Sequence, residues 1–161
     1  MLLDISHLVE PHILLYDEND ALIPEASDSQ PTGAGSWFVK LYKAAWSQIQ
    51  NRYQDDRENL WSFMPELVKG DQSVQNVRSR ILRVPVGWGG SNDNDVENKE
   101  EVGRLLGESM IETSDVYRPL ISGSGVTDDE IARWTEEMAA DVKDLRIKAY
   151  MRFAYCTATI Q

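Results

Sequence analysis

The chain has 161 residues, 42% of them hydrophobic, which is enough for one domain with a real core. Its net charge of −11 excludes nucleic acid and an anionic membrane surface as partners, because both need clustered Lys and Arg. One cysteine, Cys156, and two histidines, His7 and His12, rule out an internal disulfide and a multi-cysteine zinc site.

There is no apolar run long enough to span a bilayer, and no basic-then-apolar leader at the start. The expectation is a soluble protein of a reducing compartment, cytoplasmic or nuclear.

In chain order, residues 2–16 are rich in Leu, Ile and Val and predict a buried strand, interrupted at Pro11, which cannot donate a ladder hydrogen bond. Residues 17–36 carry Pro24, Pro31, Gly33, Gly35 and many Ser and Asp, the composition of a long loop. Asp17, Glu18, Asp20 and Glu25 read as a solvated acidic stretch whose spacing is not that of a calcium loop. Ser36 is placed to cap a helix running to about Gln54. Trp37, Leu41, Ala45 and Ile49 recur every fourth residue as its inner stripe, with Tyr42, Trp46 and Tyr53 alongside.

Val74–Val86 alternates in part and predicts a strand near a sheet edge or under a partner, ended by Pro85. A Gly- and Asn-rich loop follows over 87–98, with Trp88 tucked inward. From about Glu97 to Ile121 the apolar residues keep helical spacing, and Gly103 and Gly107 permit close packing. Thr127-Asp-Asp-Glu130 is a capping box opening a helix to about Asp144, with Ile131, Trp134, Met138 and Val142 inward. The β-branched and aromatic alternation of 147–157 predicts a terminal strand, on which Cys156 is a small hydrophobe rather than a nucleophile. The order strand, helix, strand, helix, helix, strand predicts an α/β layered sheet.

Several motifs together resemble the C-terminal half of the fungal LaeA-type class I S-adenosylmethionine-dependent methyltransferases. They are Val84-Pro-Val-Gly87 with Trp88, Glu101-Val-Gly103, Gly125-Val-Thr-Asp-Asp-Glu130, Trp134, Asp141-Val-Lys-Asp-Leu-Arg-Ile147 and Ala149-Tyr150, ending at Tyr155. The opening, with Glu10-Pro-His12, Tyr16-Asp-Glu18 and Ile23-Pro24, is similar to that family's fifth strand and the loop after it. The chain departs from the pattern at its end, where Tyr155-Cys-Thr-Ala-Thr159 stands in place of a Tyr-Gly and a basic-Pro pair.

The resemblance implies a partial class I methyltransferase (Rossmann-like) α/β sheet, strands five to seven with flanking helices and the last strand antiparallel. Residues 1–161 are then a single methyltransferase-like domain without the cofactor-binding half. The Gly-rich strand-to-helix turn that admits a cofactor has no counterpart here, so no cofactor is expected for this chain alone, although S-adenosylmethionine serves the full-length family. Methyl transfer by the isolated chain is accordingly not expected.

Candidate site residues are few. His12, beside Glu10, is the candidate general base, set against a plain structural histidine. Tyr16 and Trp37 flank the long loop as candidate substrate-binding residues, set against core packing. No metal site is expected. The partners to consider are a small-molecule acceptor, a second copy of the chain, or a full-length methyltransferase that pairs with its sheet edge. A cofactor-independent isomerase or cyclase that reuses the acceptor pocket is the remaining alternative.

Overall fold

A computed structural model describes residues 2–8, 14–53, 70, 74–90 and 97–160. Four strands and three helices are defined among them: β1 (Leu2–Leu8), β2 (Leu15–Tyr16), α1 (Trp37–Tyr53), β3 (Val74–Val86), α2 (Lys99–Ile121), α3 (Asp128–Lys143) and β4 (Ala149–Ile160). The architecture is mixed α/β around an open antiparallel sheet.

The last strand is the central one. β1 pairs antiparallel with the far half of β4, from Leu2 opposite Thr159 to Leu8 opposite Ala154. β2 continues along the same side, with Leu15 opposite Met151 and Tyr16 opposite Tyr150. On the other side β3 follows β4 from Val86 opposite Ala149 to Val74 opposite Ile160. Thus β1–β2 and β3 run in one direction and β4 runs against both. The single strand expected over 2–16 is two segments on one ladder; its expected break at Pro11 lies outside the described residues.

Alternation along the strands separates two faces. Leu15, Val84, Val86, Ala149 and Met151 are buried on one face. Four of them join Phe38, Leu41, Tyr42 and Ala45 of α1, Met110, Tyr117 and Ile121 of α2, and Ile131, Trp134 and Met138 of α3 in one core. Tyr16, Pro85 and Tyr150 occupy the opposite face and are also buried.

Two expectations are corrected. Pro85 does not end β3: it pairs with Tyr150, and the strand continues to Val86. A missing N–H is tolerated there because β3 is an edge strand among the described residues. The buried stripe of α1 is also rotated from the expected one. Phe38, Leu41, Tyr42 and Ala45 are buried, whereas Trp37 and Ile49 are half-buried. Phe38, Tyr42 and Trp46 stack along the helix, and Tyr117 of α2 meets Phe38 and Tyr42 edge-on.

The local signals at the helix ends hold. Ser36 Oγ accepts from the Val39 N–H at 3.4 Å. The Thr127–Glu130 capping box is complete, each side chain accepting from the other residue's N–H. Gly103 and Gly107 do let α2 approach closely. A Cβ on Gly103 would collide with the Trp88 carbonyl, and one on Gly107 would lie 2.8 Å from Gly87 Cα. The Gly87 N–H donates to the Gly103 carbonyl at 2.8 Å across this contact.

Candidate functional site

The carboxyl ends of β2 and β3 lie at the same end of the sheet as the start of β4. In open α/β sheets this is where ligands bind. Three things converge there: the loop of residues 17–36, the amino end of α1, and Trp88 after β3.

The loop is more ordered in its bonding than its composition implied. Asp17 Oδ1 accepts from the N–H groups of Asn19 and Ala21, closing a turn in which Asp20 takes a left-handed φ of 65°. The Ile23 N–H then donates to the Leu15 carbonyl at 2.9 Å, so the loop covers the outer edge of β2. Glu25 and Ser36 bridge in parallel, with Gly35 between backbone atoms of Glu25 and Ala26.

Beneath the loop, on the helix side, Asp141 of α3 is buried with 5% exposure. Its Oδ2 accepts the Trp37 N–H at 3.2 Å, from a residue 104 positions away, and so caps α1 together with Ser36. Burial pushes the Asp141 carboxyl up to about 6, against the Trp37 hydrogen bond and the Arg146 charge, which both favour the ionised form. A void of about 10 Å³, the size of a single water, lies against Ser36 and Asp141.

Above that cap a polar groove of about 170 Å³ runs between the loop and α3. Ser27, Asp28, Gln30, Thr32, Trp37 and Arg133 contribute to its walls. Arg133 holds Asp28 by two hydrogen bonds, at 2.6 and 3.0 Å, and keeps that carboxyl below its usual range. Trp37 presents its ring to Lys40 at 4.8 Å and Arg133 at 5.5 Å. The volume is under the roughly 300 Å³ at which ordinary small-molecule pockets begin, so only a small polar group fits.

On the opposite face of the sheet, Arg83 and Arg152 are directly opposed across β3 and β4. Like charges in that position repel. Asp20 resolves the conflict, its Oδ1 lying 3.2 Å from Arg83 Nε and 2.9 Å from Arg152. The Arg152 bond holds the Asp20 carboxyl below its ordinary value. Each guanidinium also covers a tyrosine: Arg83 lies 4.4 Å from the Tyr150 ring centre, and Arg152 3.8 Å from that of Tyr16. Trp88 meets Tyr150 edge-on and donates its Nε1–H to the Ala149 carbonyl at 3.0 Å.

Of the expected site residues, Tyr16 and Trp37 lie on opposite faces of the sheet. Trp37 lines the groove. Tyr16 lies on the other face under Arg152, as part of the packing. His12 lies outside the described residues. Sequence reasoning missed Asp141, Asp20, Arg83 and Arg152. Asp141 was signalled by its place three residues after Met138, a polar group on the inner stripe of α3. The other three reveal their role only through pairing between distant segments.

Among the described residues no group of three or more His, Cys, Asp or Glu is placed to hold a metal ion. No helix among them is long and apolar enough to cross a membrane. The glycines of the two clusters lie close against the chain itself. Their open sides meet the chain's own atoms: Glu25 and Ala26 at Gly35, Val142 at Gly87, and Glu100 at Gly89. Gly87 follows the buried end of β3 directly, but the next helix begins only at Lys99. Comparison with family models, with curated proteins and with solved structures found no match.

Proposed function

We propose that this chain is a methyltransferase-family protein. In this reading it forms the acceptor-side part of a class I S-adenosylmethionine-dependent fold of the fungal LaeA type, acts in small-molecule secondary metabolism, and does not transfer methyl groups by itself. One observation carries the reading: the strand order. The last strand lies between the first and third, antiparallel to both, while those two share a direction. That arrangement is the one the resemblance of residues 84–155 implies. Gly35, Gly87, Gly103 and Gly107 serve the chain's own close contacts, which supports this reading.

In this reading these residues carry no methyl-transfer step of their own. Their part is to shape the acceptor end of the sheet. The capped amino end of α1 and the Arg133–Asp28 pair fix the wall of the small polar groove. The loop clasped by Asp20 covers the edge of β2 beside it.

A thermal melt with and without millimolar S-adenosylmethionine tests this. A ligand that binds only the folded state raises the midpoint. The expected result is a cooperative melt with an unmoved midpoint. A clear upward shift would show that the chain binds the cofactor unaided and would end the claim of inactivity.

A further inference from the structure

Cations outnumber anions where Arg83 meets Arg152. The two lie directly across from one another on β3 and β4, and neither strand carries an acidic residue, in a chain whose net charge is −11. Lys148, just before β4, adds a third positive charge, 5.1 Å from the ring centre of Trp88, which itself meets Tyr150. One carboxylate stands between the two guanidiniums, and it uses one oxygen for both. Asp20 Oδ1 lies 3.2 Å from Arg83 Nε and 2.9 Å from Arg152 Nη2. The Arg83 side is poorly made. Its Nε is buried and has no hydrogen-bond partner among the described residues, the approach to Asp20 being misaligned. Its Nη2 reaches the Asp17 and Glu18 carbonyls only at 3.3 and 3.5 Å. Solvent reaches all three side chains, which are 30% exposed at Arg83, 28% at Arg152 and 46% at Asp20.

We propose that Arg83 and Arg152 form a binding site for a phosphate dianion, and that the Asp20 carboxylate is a built-in occupant which the phosphate displaces. The inference is independent of the methyltransferase reading. Charge favours the exchange. Two opposed guanidiniums repel, and a single carboxylate offsets one of them, whereas a dianion offsets both. Geometry favours it too. Each arginine presents a planar fork of N–H donors suited to two oxygens. Asp20 shares one oxygen between two forks; a phosphate offers three, and so supplies the acceptor that Arg83 Nε lacks. Asp20 is free to leave without unfolding its loop. The turn is held by Asp17, whose Oδ1 accepts the Asn19 and Ala21 N–H groups, so the Asp20 side chain need only rotate away. The guanidiniums stay in place during the exchange, because Arg83 rests on Tyr150 and Arg152 on Tyr16.

The test is a thermal melt at about pH 8 and constant ionic strength, with inorganic phosphate, glycerol phosphate, acetate or chloride added. Both phosphates are expected to raise the midpoint of the unaltered chain, and acetate and chloride to leave it. The tighter binder of the two identifies the source as free or esterified phosphate. Asp20→Asn removes the competing charge with a residue that accepts the left-handed φ of 65°. It is expected to melt below the unaltered chain without phosphate and to bind phosphate roughly tenfold more tightly. Joint Arg83→Gln and Arg152→Gln substitution is expected to abolish the response. If either variant lacks a cooperative melt, the Arg83 Nε–H resonance of the unaltered chain replaces it, moving downfield as phosphate gives that proton an acceptor. No rise with either phosphate, in the unaltered chain or in Asp20→Asn, overturns the proposal. So does an equal rise with acetate, a response that survives loss of both arginines, or an Arg83 resonance that saturating phosphate leaves unmoved.

Discussion

Asp141 sits where two physical effects oppose each other. Its position at the amino end of α1 favours a carboxylate, because the helix dipole and the Trp37 N–H both do. Burial disfavours that charge and prevails, raising the carboxyl from 3.8 to about 6. An acid with a raised pKa in the folded state takes up a proton on folding between those two values. Stability from this group is thus greatest below about 4, falls as pH rises through the window, and is level above about 6. Asp141→Asn keeps an oxygen for the Trp37 N–H and removes the titration. Its melting temperature should match the native chain near pH 4 and exceed it by a constant margin above pH 6. A difference that does not change with pH would remove the explanation. Asp141→Ala instead strands the Trp37 N–H and should lose about 1–2 kcal/mol. Asp28 and Glu130 act in the opposite sense. Arg133 lowers the first and Thr127 the second, so their contributions are lost only at more acidic pH.

At the scale of elements, α3 ends in a Schellman arrangement. The Arg146 N–H donates to the Asp141 carbonyl at 3.1 Å, and Leu145 occupies the left-handed position with φ 51°. A side chain there costs about 1–2 kcal/mol relative to glycine, and Leu145 is largely outside the core. Leu145→Gly should therefore raise stability by about 1 kcal/mol in a denaturant titration; a loss of that size would mean its packing outweighs the backbone strain. Gly103 is the reverse case. Alanine is the better helix former by about 1 kcal/mol, yet its Cβ meets the Trp88 carbonyl and Pro85. Gly103→Ala should destabilise by ~3 kcal/mol, since α2 must withdraw from β3. These ends and close approaches were legible in the sequence because a cap or a glycine acts on neighbours within a turn. Thr127 with Glu130, Ser36, and the Gly103–Gly107 pair could all be read locally. What could not be read depends on partners far along the chain. Asp141 caps a helix 104 residues away, and Asp20 separates two arginines that become neighbours only when β3 lies against β4. The inner stripe of α1 was read correctly at Leu41 and Ala45 but not at its ends, where Trp37 and Ile49 are half-buried. Trp37 sits at the rim because Lys40 and Arg133 engage its ring there, a contact no periodicity encodes.

At the scale of the whole molecule, the order of the sheet sets the order of assembly. β1, β2 and β3 pair only with β4 among the described strands, and β4 is the last of them in sequence. Leu2 waits for Thr159, and Val86 for Ala149. The sheet's hydrogen bonds close long loops, which slows folding because loop entropy is lost before contacts reward it. The helices depend on it too, since Ala149 and Met151 fill the core that Leu41, Met110 and Met138 share. A chain ending at Lys148 should retain helix-forming segments but lose its cooperative transition, with the apolar sides of α1, α2 and α3 open to solvent. Circular dichroism during heating would then show a broad, shallow change, and a dye that binds exposed apolar surface would fluoresce at room temperature. A sharp melt with no dye binding would mean that the three helices form a core of their own. The central position of β4 would then be a consequence of the fold rather than its foundation.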